Sequence, residues 1–239
     1  MIHTLSRLDW IASAGRSPWH RASALSKLML TVLIVMLAVF APNLKMIAAL
    51  HLLAWTLTLT ARLPWRLMAA AAGYPIVFSL LFVIARWDGT AQTVGTLMMR
   101  PLAASIAVVW LIGTTPYPDL FAPISRLLPR GAADGLFLTY RALFELMSRL
   151  ERMVRALRLR GGADGPARRR LTVAGEGLGT LVLYGFERSQ RLHAVMLLRG
   201  HGGRICGCRH WAELSRADLL VAAAGATAIA AAVLTWRTG

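Results

Sequence analysis

The sequence predicts an all-α integral membrane protein with about five transmembrane helices and two long helices outside the membrane, and three observations carry that expectation. Hydrophobic residues make up 56% of the chain against 16% charged, with a mean hydropathy of +0.55. Soluble domains average about 25% charged residues, so an ordinary soluble enzyme is excluded by composition. Five apolar runs recur along the chain. Two long segments with helical periodicity each stop at glycine.

The first twenty residues hold Arg7, Asp9 and Arg16 without the apolar run of a cleavable leader, so the N-terminus is expected to be retained. Apolar runs follow at 28–41 and 46–61, joined by a turn at Pro42-Asn43. Each is shorter than the roughly 20 residues of a straight span, so each must recruit flanking residues such as Ala24 and Leu25. A third run, 67–85, carries Pro75 and is expected to kink there. The fourth, 94–113, is interrupted by Arg100-Pro101. An ionisable residue inside a span is costly and faces protein or water, so Arg100 is either a packing residue or lies at the membrane boundary. The alanine-rich run 219–236 completes the set, giving segments 1–113 (four spans), 114–217 (cytoplasmic) and 218–239 (last span).

Charge sets the orientation. Lys27 and Lys45 are the only lysines, and the 27 basic residues outweigh 11 acidic ones to leave +16. Short cytoplasmic loops carry the arginine excess, so an inside N-terminus places Arg21, Lys27, Arg62 and Arg66 inside, in a multi-pass protein of the cell (inner) membrane. The segment 114–217 is then also cytoplasmic, and it concentrates the arginines.

Within it, Leu136, Tyr140, Leu143, Met147, Leu150, Val154 and Leu157 form an apolar stripe with helical spacing, and Gly161-Gly162 ends that helix. A second helix is expected from about Leu171 to Arg199, stopped by Gly200, with Asp164 to Arg170 as the intervening turn. Shifting one helix end by 39 positions superposes Arg149 on Arg188, Arg152 on Arg191, Leu159 on Leu198, Arg160 on Arg199 and Gly161 on Gly200. An arginine in the last residue of a helix complements the negative end of the macrodipole. Its five donors project beyond the rod for bidentate contact with carboxylates. Two such tips suit a dimeric partner with two acidic sockets. A structure in which Arg160 and Arg199 point into lipid, or lie far apart on unrelated faces, would contradict that reading. Arg149, Arg152, Arg188 and Arg191 read as a solvated basic face supporting the tips.

The paired ends Leu159-Arg160-Gly161 and Leu198-Arg199-Gly200 resemble the coupling helices of the transmembrane (T) component of energy-coupling factor (ECF) transporters, the EcfT/CbiQ family. There each helix ends in Ala-Arg-Gly; leucine stands in the alanine position here. Ser17-Pro18-Trp19-His20-Arg21 through Ser26-Lys27-Leu28 resembles that family's segment before its first span. The resemblance implies a coupling subunit of an ABC-type importer for a vitamin or a transition-metal ion such as cobalt, with partners in two ABC-type ATPases and a small substrate-binding membrane (S) subunit.

No Walker glycine loop, H-E-x-x-H or Ser-His-Asp set is present in the sequence, so the chain is expected to be non-catalytic and without a cofactor, hydrolysis belonging to other chains. Gly175, Gly177 and Gly179 read as close-approach residues rather than a phosphate loop. His201, Cys206, Cys208 and His210 have donor types suited to a metal but not the spacing of a standard zinc module, and no metal is expected. The alternative reading is a membrane-anchored basic scaffold binding anionic lipid or nucleic acid; under the first reading lipids are contacted and nucleic acid is not.

Overall fold

The computed structural model describes residues 9–15, 17–85, 90–126, 128–162, 164–202 and 215–237, and every described element of regular structure is helical. They are α1 (residues 9–14), α2 (Pro18–Arg21), α3 (Ala24–Phe40), α4 (Leu44–Thr60), α5 (Trp65–Ala85), α6 (Ala91–Thr114), α7 (Tyr117–Ser125), α8 (Arg130–Leu159), α9 (Ala167–Leu198) and α10 (Arg216–Arg237). Two compact units result, one containing α8 and α9, the other containing α1 to α6, most of α7 and α10.

In the larger unit α6 packs on α3, α4 and α5, and α10 on α3 and α4. The core joins Leu30, Ile34, Leu57, Trp110 and Val221, and a second cluster joins Ala38, Met46, Ile47, Leu50 and Ala228. On α10 the buried Ala224, Ala228 and Ala232 recur every fourth residue, and such small side chains let helix backbones approach closely. Two helices, over Gln92–Thr114 and Arg216–Thr235, are long and apolar enough to cross a membrane, and Ala24–Phe40, Leu44–Thr60 and Gly73–Ala85 are shorter apolar stretches. Outward faces of α3, α5 and α10 expose Val32, Met36, Phe78, Phe82, Ile229 and Val233. Exposed apolar surface of this extent is the composition of a face meant for lipid or protein rather than water.

The run containing Arg100-Pro101 is one helix, as is the run containing Pro75. Apolar helices tolerate an internal proline because neighbouring helices and local adjustments re-satisfy the freed carbonyl. Arg100 is a packing residue, half-buried, and its Nη2 donates to the carbonyl of Ala41, the cap residue of α3, at 2.6 Å. One expectation is corrected: the second long helix starts at Ala167 with Pro166 as its N-cap, so Arg168, Arg169 and Arg170 lie in its first turn instead of a turn before it. Proline fixes a φ compatible with helix initiation, and arginine is a strong helix former.

The segment before α3 ties several helices together. Trp19 meets Trp110 edge to face with centroids 5.6 Å apart, and its Nε1 donates to Thr60 Oγ1 at 3.0 Å. Lys27, 1% exposed, donates from Nζ to the Thr114 carbonyl at the end of α6 at 2.9 Å. There the cation complements the negative helix terminus. The Asp218 carboxylate accepts from Ser23 N at 2.9 Å and from Ser215 N at 2.6 Å, linking the start of α3 to the start of α10.

Candidate functional site

Both long helices end in the same backbone geometry. Arg160 is the C-cap of α8 at φ −91° and ψ 10°, and Arg199 the C-cap of α9 at φ −88° and ψ 9°. Gly161 and Gly200 follow, each at φ +72°, a left-handed conformation that glycine adopts without steric cost. The next residue closes the turn: Gly162 N donates to Leu157 O at 2.8 Å, and His201 N donates to Met196 O at 3.0 Å. Both ends are Schellman motifs, which satisfy the last carbonyls and hold the terminus rigid. Arg160 and Arg199 are exposed beyond them. Leu159 and Leu198 are 84% and 87% exposed, extreme values for leucine.

The two helices run antiparallel. Asp134 faces His201, Glu145 faces Tyr184 and Arg188, and the space beside Gly177 is filled by Met153. At the crossing, Glu145 accepts from Tyr184 Oη at 3.0 Å and pairs with Arg188 at 2.7 Å, while the Arg149 guanidinium lies 3.4 Å from the centroid of the Tyr184 ring. Glu145 and Tyr184 are themselves 39 positions apart, as are Leu146 and Gly185, which also face each other, and Arg149 and Arg188. At the crossing Glu145 and Leu146 meet their own counterparts, and the Glu145–Arg188 contact is mirrored by that of Arg149 with Tyr184, which is the contact pattern of an approximate two-fold axis.

The arms are equal, fifteen residues from Glu145 to Arg160 and fifteen from Tyr184 to Arg199. At about 1.5 Å rise per residue each arm is roughly 22 Å long, and the tips stand on the order of 40 Å apart. Arg160 and Arg199 are thus not brought together. They are far apart yet equivalent in backbone geometry. On the Arg199 side of the crossing lies a cavity of about 520 Å³ whose lining includes Leu138, Ala142, Leu146, Leu192 and Met196.

The remaining candidates separate. Arg149 and Arg188 build the crossing and are not free surface charge. Arg152 is exposed beside a shallow depression with Thr180 and Leu181, and Arg191 pairs loosely with Glu187 at 3.5 Å on the outside of α9. Of the glycines, Gly177 permits close approach to Met153 and Leu157, while Gly175 and Gly179 face open space. His201 lies 3.9 Å from the Asp134 carboxylate. Cys206, Cys208 and His210 lie outside the described residues, and among the described residues no group of three His, Cys, Asp or Glu side chains could hold a metal ion.

The apolar stripe 136–157 is only partly the packing face. The residues that meet α9 include Leu146, Met153 and Leu157 with the polar Glu145 and Arg149, whereas Leu143 and Val154 of the stripe stay exposed. Glu145 and Tyr184 were missed as site residues in the sequence. The 39-residue shift contains the signal, since it superposes one on the other.

The family model described as cobalt transport protein, CbiQ, matches residues 15–206. No curated protein matches the chain.

Proposed function

The chain belongs to the CbiQ cobalt transport protein family, and from that premise we propose that it is the transmembrane coupling subunit of an ECF-type ATP-driven importer. Family membership and the apolar helices make it a membrane protein and a transporter component. The finer reading rests on one observation: two exposed arginines on superposable helix ends, equidistant from a two-fold crossing.

In this reading Arg160 and Arg199 each occupy a socket on one of two ABC-type ATPases. ATP-driven closure of the ATPases shifts the sockets relative to each other. The rigid arms carry that displacement through the crossing at Glu145, Tyr184 and Arg188, and so to a separate substrate-binding membrane subunit. A two-state element biased by nucleotide is what such coupling requires. The chain spans the cell membrane several times with its N-terminus and the α8–α9 pair in the cytoplasm, as the arginine distribution favours. Hydrolysis and substrate binding belong to the partner chains, and the cargo is a transition-metal ion such as cobalt or a vitamin.

Arg160→Ala, Arg199→Ala and the double substitution, tested for co-purification with the ATPases and for ATP-driven uptake, decide the matter. Losing a buried paired arginine costs about 2–5 kcal/mol at an interface, so the double variant is expected to lose assembly. Normal assembly and uptake in that variant would refute the proposal.

A further inference from the structure

The two ends share a backbone but not a chemical setting. Around Arg160, the side chains of Arg155 and Arg158 on α8 and Arg168, Arg169 and Arg170 on α9 are all exposed. The α9 residues belong to the same end, because Val173 fills the space beside Gly162 and the Arg169 Cδ that beside Gly165. Around Arg199, the positions equivalent to Arg155 and Arg158 are Ala194 and Leu197, and exposed Val195, Leu197 and Leu198 surround the tip.

The basic end is also unfavourable within the chain itself. Three arginines in the first turn of α9, where no acidic residue is present, oppose the positive end of the macrodipole. Asp164, Glu176 and the half-buried Glu151 offer opposite charge along the neighbouring stretch, fewer than the arginines there. An anionic surface brought from outside would offset the mutual repulsion of Arg155, Arg158, Arg160, Arg168, Arg169 and Arg170.

We propose that the ends seat by different physics: the Arg160 end is a cationic docking face for an acidic surface of an ATPase subunit, and the Arg199 end seats through Leu197 and Leu198 in an apolar cleft. This rests on the reading of both tips as ATPase contacts. A protein rather than a lipid partner is inferred from the duplicated cap, since the same backbone geometry serves an end where Ala194 and Leu197 stand in the positions of Arg155 and Arg158. Exposed charge of one sign raises the association rate and makes it sensitive to salt, whereas buried apolar contact governs dissociation.

The test is binding of the purified ATPase subunits to the full chain in nanodiscs of neutral lipid, with association and dissociation rates followed between about 50 and 500 mM salt. Replacing Arg155, Arg158, Arg168, Arg169 and Arg170 by Gln is expected to lower the association rate at least about tenfold at low salt and to flatten its salt dependence. Leu197→Ser with Leu198→Ser should instead speed dissociation about tenfold or more and leave the salt slope unchanged. Exchanging Arg158→Leu with Leu197→Arg should reduce the salt sensitivity of the Arg160 end and introduce it at the Arg199 end. All substituted side chains are exposed, so no variant should melt lower, and the arginine-to-Gln variant should melt slightly higher as the charge opposing the macrodipole is removed. An unaltered salt slope after removal of the arginines overturns the inference. So does a variant that binds the ATPases normally but loses affinity for vesicles containing phosphatidylglycerol, which would assign the cluster to the membrane. If the cluster variants behave normally while Arg160→Ala with Arg199→Ala abolishes binding, only this inference falls; if that double variant binds normally, the coupling reading falls with it.

Discussion

Replacing Glu145 by Gln removes the charge at the crossing of α8 and α9 while keeping the side-chain shape. The carboxylate holds Arg188 at 2.7 Å and Tyr184 Oη at 3.0 Å, with the Glu145 and Arg188 side chains 34% and 49% exposed. A partly solvated ion pair contributes about 0.5–1 kcal/mol, and a hydrogen bond to a charged acceptor in the same setting adds a similar amount. The Arg149 guanidinium lies over the face of the Tyr184 ring, whose hydroxyl is held by Glu145. The expected loss is about 1–2 kcal/mol, a factor of roughly 5–30 in the population of loosened crossings. The geometry amplifies it, because a change of about 10° at the crossing displaces the end of a roughly 22 Å arm by about 4 Å. Spin labels at Leu159 and Leu198, with Cys206 and Cys208 replaced by serine, report the distance between the tips by pulsed electron resonance. The wild type should give one narrow distribution on the order of 40 Å, Glu145→Gln a broadened one, and a double-mutant cycle with Arg188→Met a coupling of about 0.5–1 kcal/mol. Swapping the charges, Glu145→Arg with Arg188→Glu, should recover the narrow distribution. An unchanged distribution in Glu145→Gln, together with zero coupling, would refute the crossing as the element that positions the tips.

Three further expectations follow from the same contacts. Gly161→Ala and Gly200→Ala each force a side chain into the left-handed region at φ +72°, costing about 1 kcal/mol; amide exchange at Gly162 or His201 should rise at the substituted end alone. Lys27→Met leaves the buried Thr114 carbonyl without its donor, a loss of about 1–3 kcal/mol that thermal unfolding in detergent measures. His20, which lies ahead of α3, is held below its ordinary pKa by burial first and by the nearby Lys27 second. Its neutral form is therefore the native one. The stability it lends is complete above about pH 6.5 and is lost as pH falls, because the unfolded chain takes up the proton first. A His20→Gln variant should show a flatter decline in melting temperature below pH 6.5, and an identical decline would exclude this role.

The sequence by itself determined the helical class, the five apolar runs and the duplicated helix ends, because each is a local property. Hydrophobic runs need no partner to be recognised, and a glycine stop after Leu-Arg encodes a Schellman cap whose hydrogen bonds close within six residues. Local rules also located Gly161 and Gly200 as residues free to take positive φ. Local rules gave the period of α8 correctly and its contact face only in part, since the apolar stripe through Leu143 and Val154 and the polar line through Glu145 and Arg149 share the same spacing. Which of two faces is buried depends on the other helix, and that choice belongs to tertiary structure. The same holds for Arg100, whose partner Ala41 is 59 residues away, and for Lys27, whose acceptor Thr114 is 87 residues away. Pairing over such separations costs loop-closure entropy that no neighbouring residue reveals. The distance and equivalence of Arg160 and Arg199 were decided in the same way, by one crossing at Glu145 and Tyr184 that turns a repeat in the chain into a two-fold arrangement in space.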